Sequence, residues 1–387
     1  IILKPNKEGP VRNRIVWVLI IGICLGFGIW GLGFGLGGCA STQQDLLAST
    51  TTTTTASASS TTTTLGPAVG ILDLSFGVSG LATYVAGRFS DFALDPAGSA
   101  IVVGSTATYY NLMLWKFDAD GKLAAGFGKG GVVTDDRGFG YAVKLASSGK
   151  IWVAGTGSED GINHGLALFC YDSSGNLDAS FGTNGLKVHL FSTLNILGLD
   201  ICRVEIDAAG KLVVVGNTQG SFDIFVARFN SNGALDTSFS NGNGFVLIDG
   251  GMGPGSEDHA SSAVITAAGK ILVAGYSRAA YNVDPNPEDK LVLWQISSSG
   301  GLDNKYAYTG TPKSKGKDLL VDSSGDIYVF GDYYYDTVLL KGVHNLALWR
   351  FDQNLGLDTS FVDSGVSHFD AGDRGEKYSF DNYGNIM

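Results

Sequence analysis

Residue patterns that mark catalytic or metal sites are scarce in this sequence of 387 residues. Cysteine occurs only four times, at Cys24, Cys39, Cys170 and Cys202, and no two of these have the spacing of metal ligands. There is no Gly-x-Ser-x-Gly elbow, no His-Glu-x-x-His and no repeated set of Cys and His ligands. The commonest signatures of hydrolases and metalloproteins are therefore excluded, although a site assembled from distant loops would leave no such signature.

Helical periodicity and positive charge are also scarce. No segment repeats its apolar residues with a helical period, so the sequence predicts an all-β protein. The chain carries 26 basic and 37 acidic side chains, and beyond residue 64 the numbers are 22 and 35. This acidity argues against nucleic acid or anionic lipid as a partner. Glycine is abundant, with 56 residues concentrated at recurring turn positions.

The N-terminal region has the pattern of an export signal. Arg12 and Arg14 precede an apolar run over 15–36, which ends in Gly37, Gly38 and Cys39. The motif Leu36-Gly-Gly-Cys39 resembles the lipobox of bacterial lipoproteins. That resemblance implies cleavage before Cys39 and lipidation of its thiol, and Ala40 fits sorting to the outer membrane. The alternative is an uncleaved transmembrane anchor, since about 22 apolar residues can span a bilayer.

Three regions are expected along the chain: a leader over 1–38, a linker over 39–65 and a folded domain over 66–387. The segment 49–64 contains only Ser, Thr and Ala, so it has no apolar face to bury. We interpret it as a flexible stalk that accepts O-glycosylation. Under either interpretation of the leader, the folded domain is exported and tethered to a membrane.

A repeated phrase dominates the folded domain. One copy is Gly210-Lys-Leu-Val-Val-Val-Gly216, and related copies start at Gly98, Gly149, Gly269, Gly325 and, cut short, Gly384. The glycines are 51 to 61 residues apart, which indicates a repeat architecture. Five full repeats and part of a sixth predict an intact protein longer than this chain.

Each repeat has four short runs with the character of β-strands. In one repeat they are 131–134, 142–145, 151–154 and 166–171, taken as strands one to four. Strand three is apolar at every position, which predicts a strand covered on both faces. Four-stranded antiparallel units stacked face to face are typical of a β-propeller, here of six to eight blades. A β-solenoid is the alternative, but its repeats are usually shorter.

A second repeated word follows strand four. Leu177-Asp-Ala-Ser-Phe-Gly182 has relatives at 72–77, 235–239 and 357–361, with weaker forms at 123–128 and 302–306. We expect its Asp to accept backbone N–H groups within the turn and its Phe, such as Phe181, to wedge between blades. Cys170 lies just before this word, at a position held elsewhere by Lys116, Arg228, Gln295 and Arg350, so it is expected to face solvent or a blade edge. A Cys170–Cys202 disulfide would require an oxidising compartment.

The repeats resemble the delta-60 repeat family of bacterial β-propellers. The resemblance rests on these words, on the phrase Gly-Lys-Ile-x-Val-x-Gly that follows them and on a strand that ends Arg-Phe-Asp or Arg-Phe-Asn. The resemblance covers 72–387, with departures at Ala124 and at Asn304 and Lys305. It implies a propeller fold and a location at the cell surface. It implies no catalytic residues.

The meander places the variable loops at one end of the blades, where function tends to reside. We predict a ligand face there, rich in aromatic and acidic residues and suited to a glycan, peptide or protein. Its candidate residues are Tyr109, Tyr110, His164, Tyr276, Tyr281, Tyr333, Tyr334, Tyr335 and His344, with Glu159, Asp160, Asp284, Glu257, Asp258 and His259 nearby.

No cofactor is expected, and two residue patterns give only weak indications of a metal site. His164 and His344 both lie two residues before strand four, but only two of five loops share that feature. The segment Asp118-Ala-Asp-Gly121 has part of a Ca²⁺ loop without its distal ligands and is better explained as a turn. Gly126-Phe-Gly-Lys-Gly-Gly131 matches a dinucleotide pattern but precedes a strand. The leading hypothesis is a surface lipoprotein that binds a partner; the alternatives are a spacer without ligand and a hydrolase or lyase with a site in the channel.

Overall fold

The computed structural model describes residues 75–78, 81–84, 87–106, 111–191, 200–218, 223–249, 251–253, 255–279, 288–308, 313–335, 343–361 and 366–369. The leader, Cys39, the stalk and the sixth repeat lie outside these residues. Within them, no helix is long and apolar enough to cross a membrane. The helical structure they contain is a single 3-10 turn, Ser240–Gly242.

The described residues form five antiparallel sheets of four strands each, which confirms the all-β propeller prediction. Each sheet is one blade, and chain order equals strand order within it. Blade one comprises β1 (Arg88–Leu94), β2 (Ala100–Ser105), β3 (Leu112–Phe117) and β4 (Val132–Asp135); blade two β5 (Gly138–Leu145), β6 (Ile151–Gly157), β7 (Gly165–Tyr171) and β8 (Leu186–His189); blade three β9 (Asp200–Ile206), β10 (Leu212–Asn217), β11 (Ile224–Phe229) and β12 (Phe245–Ile248); blade four β13 (Glu257–Ile265), β14 (Ile271–Arg278), β15 (Asp289–Ile296) and β16 (Leu302–Ala307); blade five β17 (Ser314–Val321), β18 (Ile327–Tyr335), β19 (Val343–Phe351) and β20 (Val366–Phe369).

The blade boundary differs from the one expected from sequence. The run at 131–134, taken as the first strand of a repeat, forms β4 and pairs with β3, so it is the outer strand of the preceding blade. The same holds for β8, β12 and β20, whereas the outer strand β16 is formed by the weaker word 302–306 itself, which was expected to be a turn. The turn after the third strand reverses the direction of the chain. The next run therefore pairs with the free edge of that third strand.

The apolar second strand of each blade is covered on both faces, as predicted. In β10, Leu212 and Val214 pack in the core shared with blade two, whereas Val213 and Val215 pack in the core shared with blade four. Alternate side chains of a strand point to opposite faces of its sheet. Stacking between two neighbouring blades therefore requires an apolar residue at every position.

The first strand of every blade contacts the first strand of the next, so β1, β5, β9, β13 and β17 surround the axis of the propeller. Each of these inner strands carries a β-bulge at the same point, for example between Ala260 and Ser262. The last glycine of the repeated phrase permits the bulge. A Cβ on Gly275 would collide with the carbonyl of His259, and the equivalent glycines of the other blades meet equivalent carbonyls.

The phenylalanine of the second word wedges between blades, as predicted. Phe181 is 4 % exposed and packs edge-on against Trp152, with 4.9 Å between ring centroids. Its ring lies against the turn of blade three, where a Cβ on Gly233 would come within 2.6 Å. Phe76, Phe127 and Phe239 lie against the equivalent turn glycines, Gly121, Gly175 and Gly300. Each turn glycine, in the left-handed conformation, therefore makes room for the wedge of the preceding blade.

The aspartate of the same word organises its turn. Asp178 accepts hydrogen bonds from the backbone N–H and hydroxyl of Ser180 and from the ammonium of Lys150 at 2.7 Å. Asp236 makes the equivalent contacts with Ser238 and Lys211. The expected role of this Asp as a turn acceptor is confirmed.

The expectation for Cys170 is wrong. Its side chain is fully buried in the core between blades two and three, and burial raises the pKa of its thiol to about 11. The equivalent Arg228 is also buried, because its guanidinium lies over Phe239 and donates to the carbonyl of Ser298 in the next blade. Cys170 and Cys202 are both free thiols.

Candidate functional site

The two ends of the blades differ in what they carry. The turn end holds the turns between first and second strands and the words after third strands. The variable end holds the other two connections of each blade, and the inner strands begin there. The hairpins at this end are longer than expected: Asp258 and His259 lie in β13, Tyr276 in β14 and Tyr333, Tyr334 and Tyr335 in β18. Several predicted loop residues are therefore held on rigid strands.

One position of the inner strands forms a ring of side chains at the variable end. It lies two residues before the unpaired residue of each bulge, near the start of the strand beside the axis. The rim ring consists of Arg88, Phe139, Asp200, His259 and Lys315. No two blades share a residue at this position. In all five blades a glycine of the second strand lies against the backbone carbonyl of this residue, so the fold sets the backbone and leaves the side chain free to differ.

Blades four and five join at the rim through Tyr276. His259 stacks on one side of its ring, with centroids 4.6 Å apart and an interplanar angle of 15°. The ammonium of Lys315, from blade five, lies 3.9 Å from the centroid of the same ring. Tyr276 thus contacts an imidazole of its own blade and a cation of the next blade, so both blades help to fix its orientation.

Ion pairs extend this contact outward. Lys315 lies 3.0 Å from Asp289, Arg278 lies 2.8 Å from Asp289, and Arg278 lies 3.4 Å from Glu257. Burial opposes ionisation of Asp289, but the bonds from Lys315 and Arg278 outweigh it and lower the pKa of that carboxyl. We call the following set the mouth cluster: Asp200, Glu257, His259, Tyr276, Arg278, Asp289 and Lys315.

Burial and neighbouring cations shift the protonation of the cluster. Burial lowers the pKa of His259, and the positive charge of Lys315 lowers it further, so the imidazole is neutral near pH 7. Burial raises the pKa of the Tyr276 hydroxyl, and the carboxylate of Asp289 acts in the same direction. The cluster therefore combines neutral aromatic donors with fixed charges.

Asp200 differs from the other carboxylates of the cluster. The residue is exposed to solvent, yet burial of its carboxyl by the surrounding protein raises the pKa of that group. His259 acts in the opposite direction and lowers the same pKa. The charge of Asp200 in turn raises the pKa values of Tyr141 and Tyr276. Within the described part of the chain, Asp200 makes no side-chain hydrogen bond and no ion pair.

A polar layer lies deeper along the axis, one step past the bulges. Arg203 donates to the hydroxyl of Ser262 in blade four at 2.7 Å and to Asp318 in blade five at 3.0 Å. Lys144 of blade two contacts Glu205 of blade three at 2.5 Å. Burial opposes ionisation of Arg203, but Asp318, Asp91 and Glu205 together raise the pKa of its guanidinium. This layer links blades two to five beneath the mouth cluster.

The structure brings together only part of the predicted ligand face. Tyr276 belongs to the mouth cluster. Tyr333 is 6 % exposed and packs near Trp349 in the core between blades four and five, so its ring does not line an exposed face as expected. Tyr334 pairs with His344 across β18 and β19. Tyr109, Tyr110, Tyr281 and Asp284 lie outside the described residues.

The loop of blade two that carries His164 has a different character. His164 is exposed, while Asp160 accepts hydrogen bonds from Ile162, Asn163 and Ser158 and thereby organises its own loop. Glu159 accepts from Val188 and Thr183 of the outer connection. Both acids predicted near a ligand have structural roles here.

The metal readings find no geometric support among the described residues, where no three of His, Cys, Asp or Glu are arranged to hold an ion. In the Asp118 turn, the carboxylate accepts the backbone N–H groups of Asp120 and Lys122. His164 directly precedes β7 of blade two, whereas His344 lies in β19 of blade five, so the two are three blades apart.

Sequence reasoning missed four residues of the site: Lys315, Arg278, Asp289 and Asp200. The last three fall inside or beside predicted loops, but Lys315 was not expected there. The signal that would have found the rim ring is the last glycine of the repeated phrase. Each such glycine pairs with the residue that directly follows a rim residue, so counting back one position from that partner in each repeat identifies all five.

Comparison with known proteins supports the fold and leaves the site open. A family profile described as "Domain of unknown function (DUF5122) beta-propeller" matches residues 146–181 and 210–239. Each matched segment begins at the turn between the first and second strands of a blade and ends at a wedge phenylalanine, Phe181 or Phe239. The match therefore covers the repeated core of blades two and three. The match supports a β-propeller repeat fold. Comparison with curated proteins gives no match.

Solved structures similar to this chain are distant from it. A glucose dehydrogenase is 12 % identical, with a TM-score of 0.32, over 63 % of this chain and 93 % of that chain. An alpha-L-arabinofuranosidase from Clostridium thermocellum is 10 % identical, with a TM-score of 0.36, over 75 % and 95 %. Drosophila Semaphorin 1b is 8 % identical, with a TM-score of 0.40, over 69 % and 53 %. Similarity at this level assigns no function.

Proposed function

We propose that this protein is a membrane-tethered binding module whose propeller takes a glycan, peptide or protein ligand at the mouth cluster. The observation that carries the proposal is the rim ring. Five register-equivalent positions beside the axis hold five different side chains, four of them polar or charged, although the fold demands none of them. Residues that a scaffold holds rigidly but does not require are available for recognition.

The stacked Tyr276 and the ion pairs around it support this proposal. They hold the side chains of blades four and five in one arrangement before a ligand arrives. A pre-ordered site loses less conformational entropy on binding than a flexible loop does. Charged groups of both signs beside aromatic rings suit a polar ligand with few apolar groups.

The tether part of the proposal rests on the N-terminal residues alone: two arginines, the apolar run 15–36 and Leu36-Gly-Gly-Cys39. It is tested by growing cells with labelled palmitate and comparing the full chain with its Cys39→Ala variant. The full chain should carry label and sediment with membranes, and the variant should carry none. An unlabelled full chain would exclude lipidation at Cys39.

The ligand part is tested by thermal unfolding of the full chain against a panel of glycans and peptides. A ligand at 100 times its dissociation constant should add about 2.7 kcal/mol of stability. Lys315→Gln should abolish that shift, because it removes the cation that holds Tyr276 and Asp289 together. Lys150→Gln, which breaks an ion pair at the turn end, is the matched control and should retain the shift. Equal shifts in both variants would place the ligand elsewhere.

A further inference from the structure

The charges of the mouth cluster do not balance. Arg278 and Lys315 are its two cations, and both are engaged by Asp289, with Glu257 beside Arg278. His259 is neutral near pH 7 because burial lowers its pKa. Three carboxylates therefore face two cations, and the third carboxylate, Asp200, has no ion pair within the described residues. A ligand that supplies one positive charge would complete the cluster.

The surroundings of Asp200 are aromatic on both sides. In blade two, Phe139 and Tyr141 lie with ring centroids 4.6 Å apart, and the charge of Asp200 raises the pKa of the Tyr141 hydroxyl. In blade four, His259 and Tyr276 are stacked, and both are within electrostatic reach of the same carboxylate. Phe139, Asp200 and His259 are rim-ring neighbours in consecutive blades. The carboxylate thus lies between two aromatic pairs and is open to solvent.

We propose that Asp200 binds a protonated amine of the ligand between the aromatic pairs Phe139–Tyr141 and His259–Tyr276. An ammonium group is the charge that fits this arrangement, because aromatic faces attract a cation and a carboxylate accepts its N–H groups. The inference rests on the proposed function, since it identifies one chemical group of the ligand that the mouth cluster takes. No bond is made or broken.

The pKa shift of Asp200 in the folded protein agrees with this role. Its raised pKa means that the surrounding protein disfavours the charged form of this carboxyl. A residue kept for stability would have the opposite shift, as Asp289 has. Binding of a cation would compensate the charge that the fold leaves uncompensated.

The test uses two amines of different origin and their acetylated counterparts, titrated into the full chain by calorimetry. The probes are Nα-acetyl-lysine methylamide and a glucosamine trisaccharide, each compared with its N-acetylated form, which has the same shape but no charge. The amine forms should bind at least about tenfold more tightly than the acetylated forms, the factor expected for a charged hydrogen bond. The amine that binds more tightly identifies the source as a peptide or a sugar.

Asp200→Asn should reduce amine binding about tenfold or more without loss of folding, because it removes only the charge. Asp136→Asn is the matched control: Asp136 is an exposed carboxylate in the connection between β4 and β5, at the same end of the propeller. It should leave binding unchanged. Equal binding of amine and acetylated probes, or amine binding that survives Asp200→Asn, would overturn the inference. So would failure of both amines to bind at about 10 mM. A panel ligand lost in Lys315→Gln but kept in Asp200→Asn would overturn it while leaving the mouth cluster as the ligand site.

Discussion

The turn end and the variable end of this propeller are built from the same strands but obey different constraints. At the turn end, successive blades repeat one set of contacts: a phenylalanine wedged on the next blade's glycine and an aspartate bonded to the serine two residues on. At the variable end, the repeated feature is the glycine that lies against the rim-ring carbonyl, and the rim side chains change from blade to blade. Positions that hold the same residue in successive repeats are those where packing requires that residue. Positions beside the axis that differ between repeats are those where the fold does not require a particular side chain.

The comparison predicts that stability is concentrated at the turn end. Phe181→Ala should lower the free energy of unfolding by about 3–5 kcal/mol, because it empties a buried site between two blades. Urea unfolding monitored by circular dichroism measures the change. Phe361→Ala is the control, since Phe361 is only half-buried and lies under Arg350 rather than on a described turn of a further blade. A loss at Phe181 no greater than at Phe361 would show that the wedge contributes little.

The glycine that lies against the rim-ring carbonyl should be the most sensitive position at the variable end. Gly275→Ala should cost about 1–3 kcal/mol, because the new Cβ overlaps the carbonyl of His259 and the inner strand must shift. Gly126→Ala, whose Cβ would meet nothing within 4 Å, should change stability by less than about 0.5 kcal/mol. Thermal unfolding of the two variants compares them. If Gly275→Ala is as well tolerated as Gly126→Ala, the bulge is not held by the glycine.

The smallest effects are expected from replacing one carboxylate at each end of the blades, and the resulting change in the free energy of unfolding should differ in sign between the two ends. Asp178→Asn, at the turn end, should cost less than about 1 kcal/mol at pH 7, since its ion pair with Lys150 is partly solvated. Lys150 and Ser180 lower the pKa of Asp178 to about 2, below the usual value near 3.9. The stability that this carboxylate contributes is therefore present above pH 4 and is lost as the pH falls through 2.

The same substitution at Asp200 should be neutral or stabilising at pH 7, because the raised pKa makes the ionised carboxylate a cost to the fold. That cost is absent at low pH and develops as the pH rises through the folded pKa, so the two stability curves should converge under acidic conditions. Unfolding midpoints of both Asn variants between pH 2 and 7 test the pair. A destabilising Asp200→Asn at pH 7 would assign Asp200 to the structural network and remove the contrast between the ends.

Much of the fold was predictable from the repeated words. The apolar run 212–215 predicted a strand between two blades, and Leu177-Asp-Ala-Ser-Phe-Gly182 predicted both the turn and the wedge. The blade boundary was wrong, because a run such as 131–134 pairs with whichever strand edge the preceding turn brings near. Tyr333 was placed on the ligand face for a similar reason: hairpin length decides whether a residue lies in a loop or a strand, and β18 extends past the point that apolar patterning indicated.

The mouth cluster was less accessible to sequence reasoning. His259 and Tyr276 were expected at the variable end as separate loop residues, but their stacking depends on register across β13 and β14. Lys315 lies 39 residues after Tyr276 in the chain and reaches it only because the inner strand of blade five packs beside blade four. Charged pairs between blades leave no periodic signal in a sequence.

The amino-acid sequence alone therefore determined the all-β architecture, the four-stranded repeat and the contacts of the turn end, because these depend on residues close together within a word or on apolar alternation. The tertiary structure decided which side chains meet at the axis. Residues from blades two to five become neighbours at the start of the inner strands although successive rim-ring positions are 56 to 61 residues apart in the chain. Asp200, left without a counter-charge between two aromatic pairs, is a property of that arrangement.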